Sequence, residues 1–239
     1  MFLKRLVKLY KILLAPAFVR ALLRGAAAGT EHQQVLKNMN CDFVVDVGAN
    51  RGQFALICRK TFPSAQIHSF EPLEEPSRIF KNIFRDDPNV FLYPFAVGRS
   101  GGKTTIHVTV DDDSSSLLEV SQTQSDLFPG ATEKETRQVD VLPLSQVLNK
   151  IPISKRSLLK IDVQGSELSV LQGSEDVLGN FLYLYIECSF VELYRGQALA
   201  HQIISWLDQR GFIFAGIYNI YYGNLGEPIQ GDFLFVRNQ

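Results

Sequence analysis

Two acids set at the ends of apolar runs are the residues of this chain best placed to hold a charged small molecule. Asp46 closes the run Asp42-Phe-Val-Val-Asp-Val and stands two residues before Gly48 in Gly-Ala-Asn-Arg-Gly-Gln-Phe. A buried strand feeding a glycine-containing turn and then a helix puts a ligand at the strand's carboxyl end, where open α/β sheets bind ligands. Gly48 and Gly52 allow the backbone approach that a β-carbon would obstruct. Dinucleotide binding expects GxGxxG, with a pyrophosphate resting on the helix N-terminus. Here the turn is Gly-Ala-Asn-Arg-Gly with Asp46 ahead of it, and a carboxylate there repels phosphate and attracts a cation. Glu71, in His-Ser-Phe-Glu-Pro, lies 23 residues after Gly48, the position from which an acid accepts both hydroxyls of a ribose. A nucleoside without phosphates suits both acids, and an NAD-dependent reductase is disfavoured.

The elements that must position these acids follow from the hydrophobic pattern. Short apolar runs at 42–47, 66–70, 90–96, 157–161 and 181–186 alternate with helical patterns at 54–61, 74–84, 166–171 and 198–210. The runs are nearly continuous in Val, Leu and Ile, as strands covered on both faces require. A doubly wound, mainly parallel sheet is expected. Residues 101–110 alternate in period two after a Gly-Gly turn, and alternation resumes at 136–142. Between them a largely polar stretch of about 25 residues, Asp111 to Glu135, forms a long loop of the kind that serves as a lid or substrate-binding segment. The C-terminal stretch from 212 on reads as two antiparallel strands around a Gly-Asn turn.

Composition narrows the classes further. The chain has 239 residues, 46% hydrophobic and 21% charged, with a net charge of −1, which suits a globular fold and lacks the basic footprint of a nucleic-acid binder. A small-molecule partner is expected. Cys41, Cys58 and Cys188 are odd in number and form no CxxC pair, so a reducing, cytoplasmic compartment is expected. Residues 1–25 carry Lys4, Arg5, Lys8, Lys11, Arg20 and Arg24 and no acid. They read as an amphipathic helix interrupted by Pro16, too charged to span a bilayer. It either docks its apolar face on the domain or attaches to an anionic membrane surface.

Val44-Val-Asp-Val-Gly-Ala-Asn-Arg-Gly-Gln-Phe, His68-Ser-Phe-Glu-Pro, Phe95-Ala-Val-Gly, Leu158-Leu-Lys-Ile-Asp-Val-Gln-Gly-Ser-Glu with its Leu171-Gln-Gly tail, and Tyr185-Ile-Glu-Cys-Ser-Phe resemble, in order, the motifs of the FkbM-type S-adenosylmethionine-dependent methyltransferases. The resemblance covers about residues 31–236. It implies a class I methyltransferase, Rossmann-like fold: a seven-stranded, mainly parallel sheet with an antiparallel last strand. The implied organisation is a basic helical segment over 1–40 and a methyltransferase domain over 41–239, with a loop insertion around 101–140. The implied reaction is methylation of a hydroxyl, frequently on a sugar or glycan. Carried over by position, Asp46, Gly48, Asn50 and Gly52 line the methionine part of S-adenosylmethionine, Glu71 holds the ribose and Pro72 and Leu73 flank its ring. Ala96 and Val97 lie against the adenine, and Asp162 faces the methyl group.

Two positions depart from the family pattern: Gln164 stands where a Glu is usual, and Ser145 where an Asp is usual. An amide accepts no proton, so the catalytic acids are expected among Asp162 and Glu187, with Glu167 read as a cap of its own helix. The departures also leave open a non-catalytic S-adenosylmethionine-binding module. His68, His107 and His201 sit in strand and helix patterns and read as structural, whereas Glu31 and His32 match a Glu-His pair of the family, so His32 is a further catalytic candidate. Asp162 and Glu187 could share a divalent cation, but two acids without a third are a weak ligand set, and no metal is expected.

Overall fold

The computed structural model describes residues 2–238, and the side chains of residues 6–238. A seven-stranded sheet runs in the order β3-β2-β1-β7-β8-β10-β9. Its strands are β1 (Phe43–Val47), β2 (Gln66–Phe70), β3 (Val90–Tyr93), β7 (Ser157–Ile161), β8 (Tyr183–Ser189), β9 (Phe212–Tyr222) and β10 (Pro228–Arg237). The first five are parallel, and β10 inserts antiparallel between β8 and β9. A second sheet, in the order β4-β6-β5, joins β4 (Ala96–Val97), β5 (Gly102–Thr109) and β6 (Glu133–Leu142). The mainly parallel sheet and its antiparallel strand match the expectation.

Every residue of β1 and β7 is buried. Alternation then sends Val44, Ile67, Leu158 and Tyr185 into the core on one face and Val45, Val47, Leu159 and Ile161 into the core on the other. The helices among the described residues are α1 (Phe2–Leu13), α2 (Pro16–Leu23), α3 (Gln33–Leu36), α4 (Gln53–Thr61), α5 (Glu74–Phe84), α6 (Gln122–Leu127), α7 (Leu144–Leu148), α8 (Glu167–Gly173), α9 (Glu175–Leu178) and α10 (Ala200–Asp208), and all but α6 pack about these faces. In α5 the acids Glu74 and Glu75 fill the first turn and Lys81 the last, complementing the helix dipole, while Phe80 and Phe84 bury one face.

Three expectations are corrected. The run 90–96 is one strand in sequence but two in space: Pro94 has no N–H for a ladder, so β3 stops at Tyr93 and the chain crosses to the second sheet at Ala96. The segment 111–135 is not all loop, since Ser121 caps α6 by accepting the Gln124 N–H. The apolar stripe of α1 does not dock on the domain. Leu6, Leu9 and Leu13 are exposed, and Ile12 on another face of the helix is buried instead. No helix among the described residues is long and apolar enough to cross a membrane.

Candidate active site

A cavity of about 350 Å³ opens at the carboxyl ends of β1, β2, β7 and β8. The turn after β1 forms its floor. Gly48 has φ of +81°, and a β-carbon there would stand 1.8 Å from the Asp162 carbonyl oxygen, so the turns after β1 and β7 touch in a way open only to glycine. Asn50 also takes positive φ, 45°. Its N–H donates to Glu71 Oε2 at 2.9 Å, and its side chain reaches Asp112 across the cavity at 3.2 Å. Gly52, at φ +89°, starts α4 against Phe80 and Phe84 and does not line the cavity.

Glu71 is 5% exposed, and its second oxygen accepts the Leu73 N–H at 2.8 Å. Burial pushes its carboxyl up to about 7, against the pull of those two N–H groups. Each oxygen keeps a lone pair for the cavity, which Glu71 lines beside Pro72, Leu73, Ala96 and Val97. A carboxylate flanked by an apolar slot fits a ribose joined to a purine.

Asp46 is fully buried and lies beneath the cavity instead of lining it. The Lys160 ammonium stands 3.3 Å from Asp46, 3.3 Å from Asp162 and 5.5 Å from the centre of the Phe54 ring, and donates to Gly48 O at 3.2 Å. Burial acts to discharge Lys160, but Asp162 and Asp46 overcome it and hold its pKa above the usual value. The Asp46 carboxyl is raised by burial, with Lys160 opposing. Asp46 therefore acts on the cavity through Lys160.

One rim of the cavity is built around Gln164. Its amide nitrogen donates to Asp162 Oδ1 at 2.7 Å and to Glu187 Oε2 at 2.8 Å, while its oxygen accepts from the Tyr194 hydroxyl at 2.9 Å. Gln164 holds φ of 57°, an uncommon conformation for a residue with a side chain. Gln230 donates to the other oxygen of Glu187 at 3.2 Å. Burial raises the Glu187 pKa well above the ordinary value, and Asp162 and Asp232 add to the rise. Glu167 stands in the first turn of α8, as expected of an acid that complements the helix dipole, and it does more. Its carboxylate, raised by burial to about 7, accepts the N–H groups of Gly165 and Val163 and so fixes the turn carrying Gln164. Ser145 is buried in α7 and does not line the cavity.

His32 lines the cavity next to Phe54 and Gln53. Its Nδ1 lies 3.2 Å from the Tyr185 hydroxyl, 3.4 Å from Asp232 and 3.3 Å from Asn219. Burial acts to raise the Asp232 pKa, yet hydrogen bonds from His32, Asn219 and Tyr185 hold it below the usual value. Glu31, also on the cavity wall, pairs with Lys8 at 2.9 Å. His68 is remote, stacked between Phe43 and Phe91. Among the described residues no group of three or more His, Cys, Asp or Glu side chains is arranged to hold a metal ion.

The structure thus brings Gly48, Asn50, Glu71, Pro72, Leu73, Ala96, Val97, Asp162, Glu187 and His32 around one cavity and leaves Asp46 and Gly52 behind its wall. Sequence reasoning passed over Lys160, Asp232, Asn219, Gln230, Tyr194 and Asp112. Lys160 and Asp232 carried a signal, because a charge inside Ser-Leu-Leu-Lys-Ile or Gly-Asp-Phe-Leu-Phe demands a buried partner.

The chain aligns with the 2-O-methyltransferase NoeI of Sinorhizobium fredii at 26% identity over 175 residues, 69% of this chain and 70% of that protein. It aligns with the 31-O-demethyl-FK506 methyltransferase FkbM of Streptomyces tacrolimicus at 30% over 159 residues, 56% of this chain and 60% of that one. The match to Methyltransferase 1 of Beauveria bassiana, 30% over 153 residues, takes in 56% of this chain and 59% of that protein. Among solved structures, a putative rRNA-methylase of Clostridium thermocellum superposes with a TM-score of 0.51 at 9% identity, covering 88% of this chain and 95% of that one, a likeness of fold alone. The model of the methyltransferase FkbM domain matches residues 46–214, which include Asp46, Glu71, Asp162, Gln164 and Glu187. A cavity shaped for a nucleoside, rimmed by carboxylates and set on this sheet, thus meets a family match over most of the sequence: the chain belongs to the FkbM-domain family of S-adenosylmethionine-dependent methyltransferases.

Proposed function

We propose that the chain transfers the methyl group of S-adenosylmethionine to a hydroxyl oxygen of a sugar, glycan or glycosylated small molecule. The observation that carries this is the Asp162–Gln164–Glu187 array, two carboxylates held by one amide at the cavity rim. The names of NoeI and FkbM, which place their methyl groups on oxygen, support the choice of atom. When bound, the cofactor supplies a methyl carbon activated by a sulfonium. Glu71 receives the two ribose hydroxyls, and Pro72, Leu73, Ala96 and Val97 enclose the adenine. Gly48 and Asn50 meet the methionine part, with Asp46 holding Lys160 beneath them and Gly52 starting the helix behind.

An alcohol oxygen is a poor nucleophile until its proton has somewhere to go. Asp162 orients the acceptor hydroxyl as a hydrogen-bond acceptor. Glu187, whose affinity for a proton is raised by burial, is placed to take that proton. Gln164 keeps the two carboxylates apart in role, since a third acid at its position would add repulsion to an already acidic rim. His32, held by Asp232, is the remaining group able to accept the proton.

The test uses purified full-length chain, S-adenosylmethionine with a deuterated methyl group and a pool of sugars and glycosides. Transfer of the labelled methyl to an acceptor oxygen, located by mass spectrometry and NMR, is the expected result. Label found only on nitrogen or carbon, or cofactor bound tightly with no acceptor modified, would overturn the assignment.

A further inference from the structure

The hairpin formed by α1 and α2 faces the wrong way for a segment that only packs on its own domain. On α1, Leu6, Leu9, Tyr10 and Leu13 follow the i, i+3, i+4, i+7 spacing of one stripe, and they are 45–64% exposed. Val7 and Leu14 widen the stripe and are equally open. The protein-facing side is the other one: it carries Ile12, 2% exposed, and Lys8, whose ammonium meets Glu31 at 2.9 Å. In α2, Phe18 and Ala21 turn inward while Leu22 and Leu23 point out, Leu23 at 83% exposure. Among the described residues, eight of the fourteen exposed large hydrophobics fall between residues 6 and 23, and the other six are scattered from Phe91 to Leu225. An apolar cluster of this kind marks an interaction surface.

We propose that this hairpin lies on a lipid surface bearing anionic headgroups, with the Leu6-Leu9-Leu13 stripe in the acyl boundary and the cations at its margin. Charge selects the occupant. Residues 1–25 contain six Lys and Arg and no acid, while the remainder of the chain carries a net −7. Two copies packed hairpin to hairpin would set cation against cation, whereas anionic headgroups satisfy the cations and acyl chains the leucines. Lys11, half-buried beside the stripe, can extend along the helix toward the headgroups. A helix of 12 residues is far shorter than a bilayer core, so it rests in the interface.

The same helix contributes Lys8 to the cavity wall, and Lys8 holds Glu31 next to His32. Docking therefore brings the mouth of the cavity to the lipid surface. Resting on the proposed O-methylation, this narrows the acceptor to a hydroxyl compound anchored in or held at that surface, such as a lipid-linked saccharide.

Sedimentation of the full chain with vesicles tests the surface, using phosphatidylcholine alone and phosphatidylcholine mixed with phosphatidylglycerol. The chain should pellet with the anionic vesicles at least about tenfold more tightly than with neutral ones, and lose that margin at high salt. The exposed triple variant Leu9→Ser, Leu13→Ser, Leu23→Ser should stay in the supernatant while binding S-adenosylmethionine as the parent does. No vesicle binding, or equal binding to both vesicle types, overturns the proposal. A parent dimer that the triple variant converts to monomer, without vesicle binding, assigns the stripe to a second copy and also overturns it. Cofactor affinity, measured in parallel by calorimetry, fails only if the methyltransferase assignment itself is wrong.

Discussion

An amide wedged between two carboxylates determines how the rim can handle a proton. Gln164 spends both N–H bonds on Asp162 and Glu187 and its oxygen on Tyr194, so it has no free donor for a substrate. The acids on either side carry the chemistry. Asp162→Asn should lower turnover about a hundredfold or more while leaving cofactor affinity within a few fold, read by single-turnover kinetics and calorimetry. Unchanged turnover would transfer the role to Glu187 and His32. Glu71→Ala should weaken S-adenosylmethionine binding by about 1.5–3 kcal/mol, since two charged hydrogen bonds are lost. A calorimetric affinity equal to that of the parent would remove Glu71 from the ribose site. Glu71 was legible because its type and spacing from Gly48 already describe a ribose acceptor. Asp46 was legible as an acid but not as a buried counter-ion, because its partner Lys160 lies more than a hundred residues away on the neighbouring strand. Spacing along the chain says nothing about such a pair.

At the scale of elements, the strands and the turns after them were readable, and the segment between β5 and β6 was not. Its helix, Gln-Thr-Gln-Ser-Asp-Leu, has no apolar period, and the segment is anchored on distant elements, with Leu118, Val120, Leu127 and Phe128 packed against Leu193, Tyr194 and Ile229 and with polar contacts besides. Asp112 binds Asn50 at 3.2 Å and Arg51 at 2.7 Å, and Ser114 O lies 2.9 Å from the Tyr194 hydroxyl. The segment is thereby tied to the turn after β1 and, through Tyr194, to Gln164. Asp112→Ala removes both contacts with the turn at once. Cofactor should then dissociate about tenfold faster, as expected for loss of an interaction near 1.4 kcal/mol, and a protease should cut within 111–135 more readily. Stopped-flow fluorescence and limited proteolysis measure the two effects. If neither changes, the segment does not close over the cofactor.

Across the whole molecule, buried acids set how stability responds to pH. Glu71 and Glu167 rise from 4.5 to about 7, so between those values the folded chain holds protons that the unfolded chain has released. Stability of the ligand-free chain must fall as pH rises through that window, by up to about 1.4 kcal/mol per pH unit for each group. His68, lowered by burial from 6.5 to about 4, opposes them as a single group over its own window. The melting temperature should therefore drop between pH 5.5 and 7.5, and Glu167→Gln should flatten the drop. A steady rise over that range, indifferent to Glu167→Gln, would show that these acids are not buried as described. The placement of β10 has a consequence for biosynthesis. It brings Gln230 and Asp232 to the cavity from between β8 and β9, yet leaves the ribosome after both. Until it slots in, β9 has no sheet neighbour, β8 shows a bare edge, and His32 waits for its carboxylate. A chain stopped before residue 228 would thus show the open edge of β8 and leave His32 without Asp232.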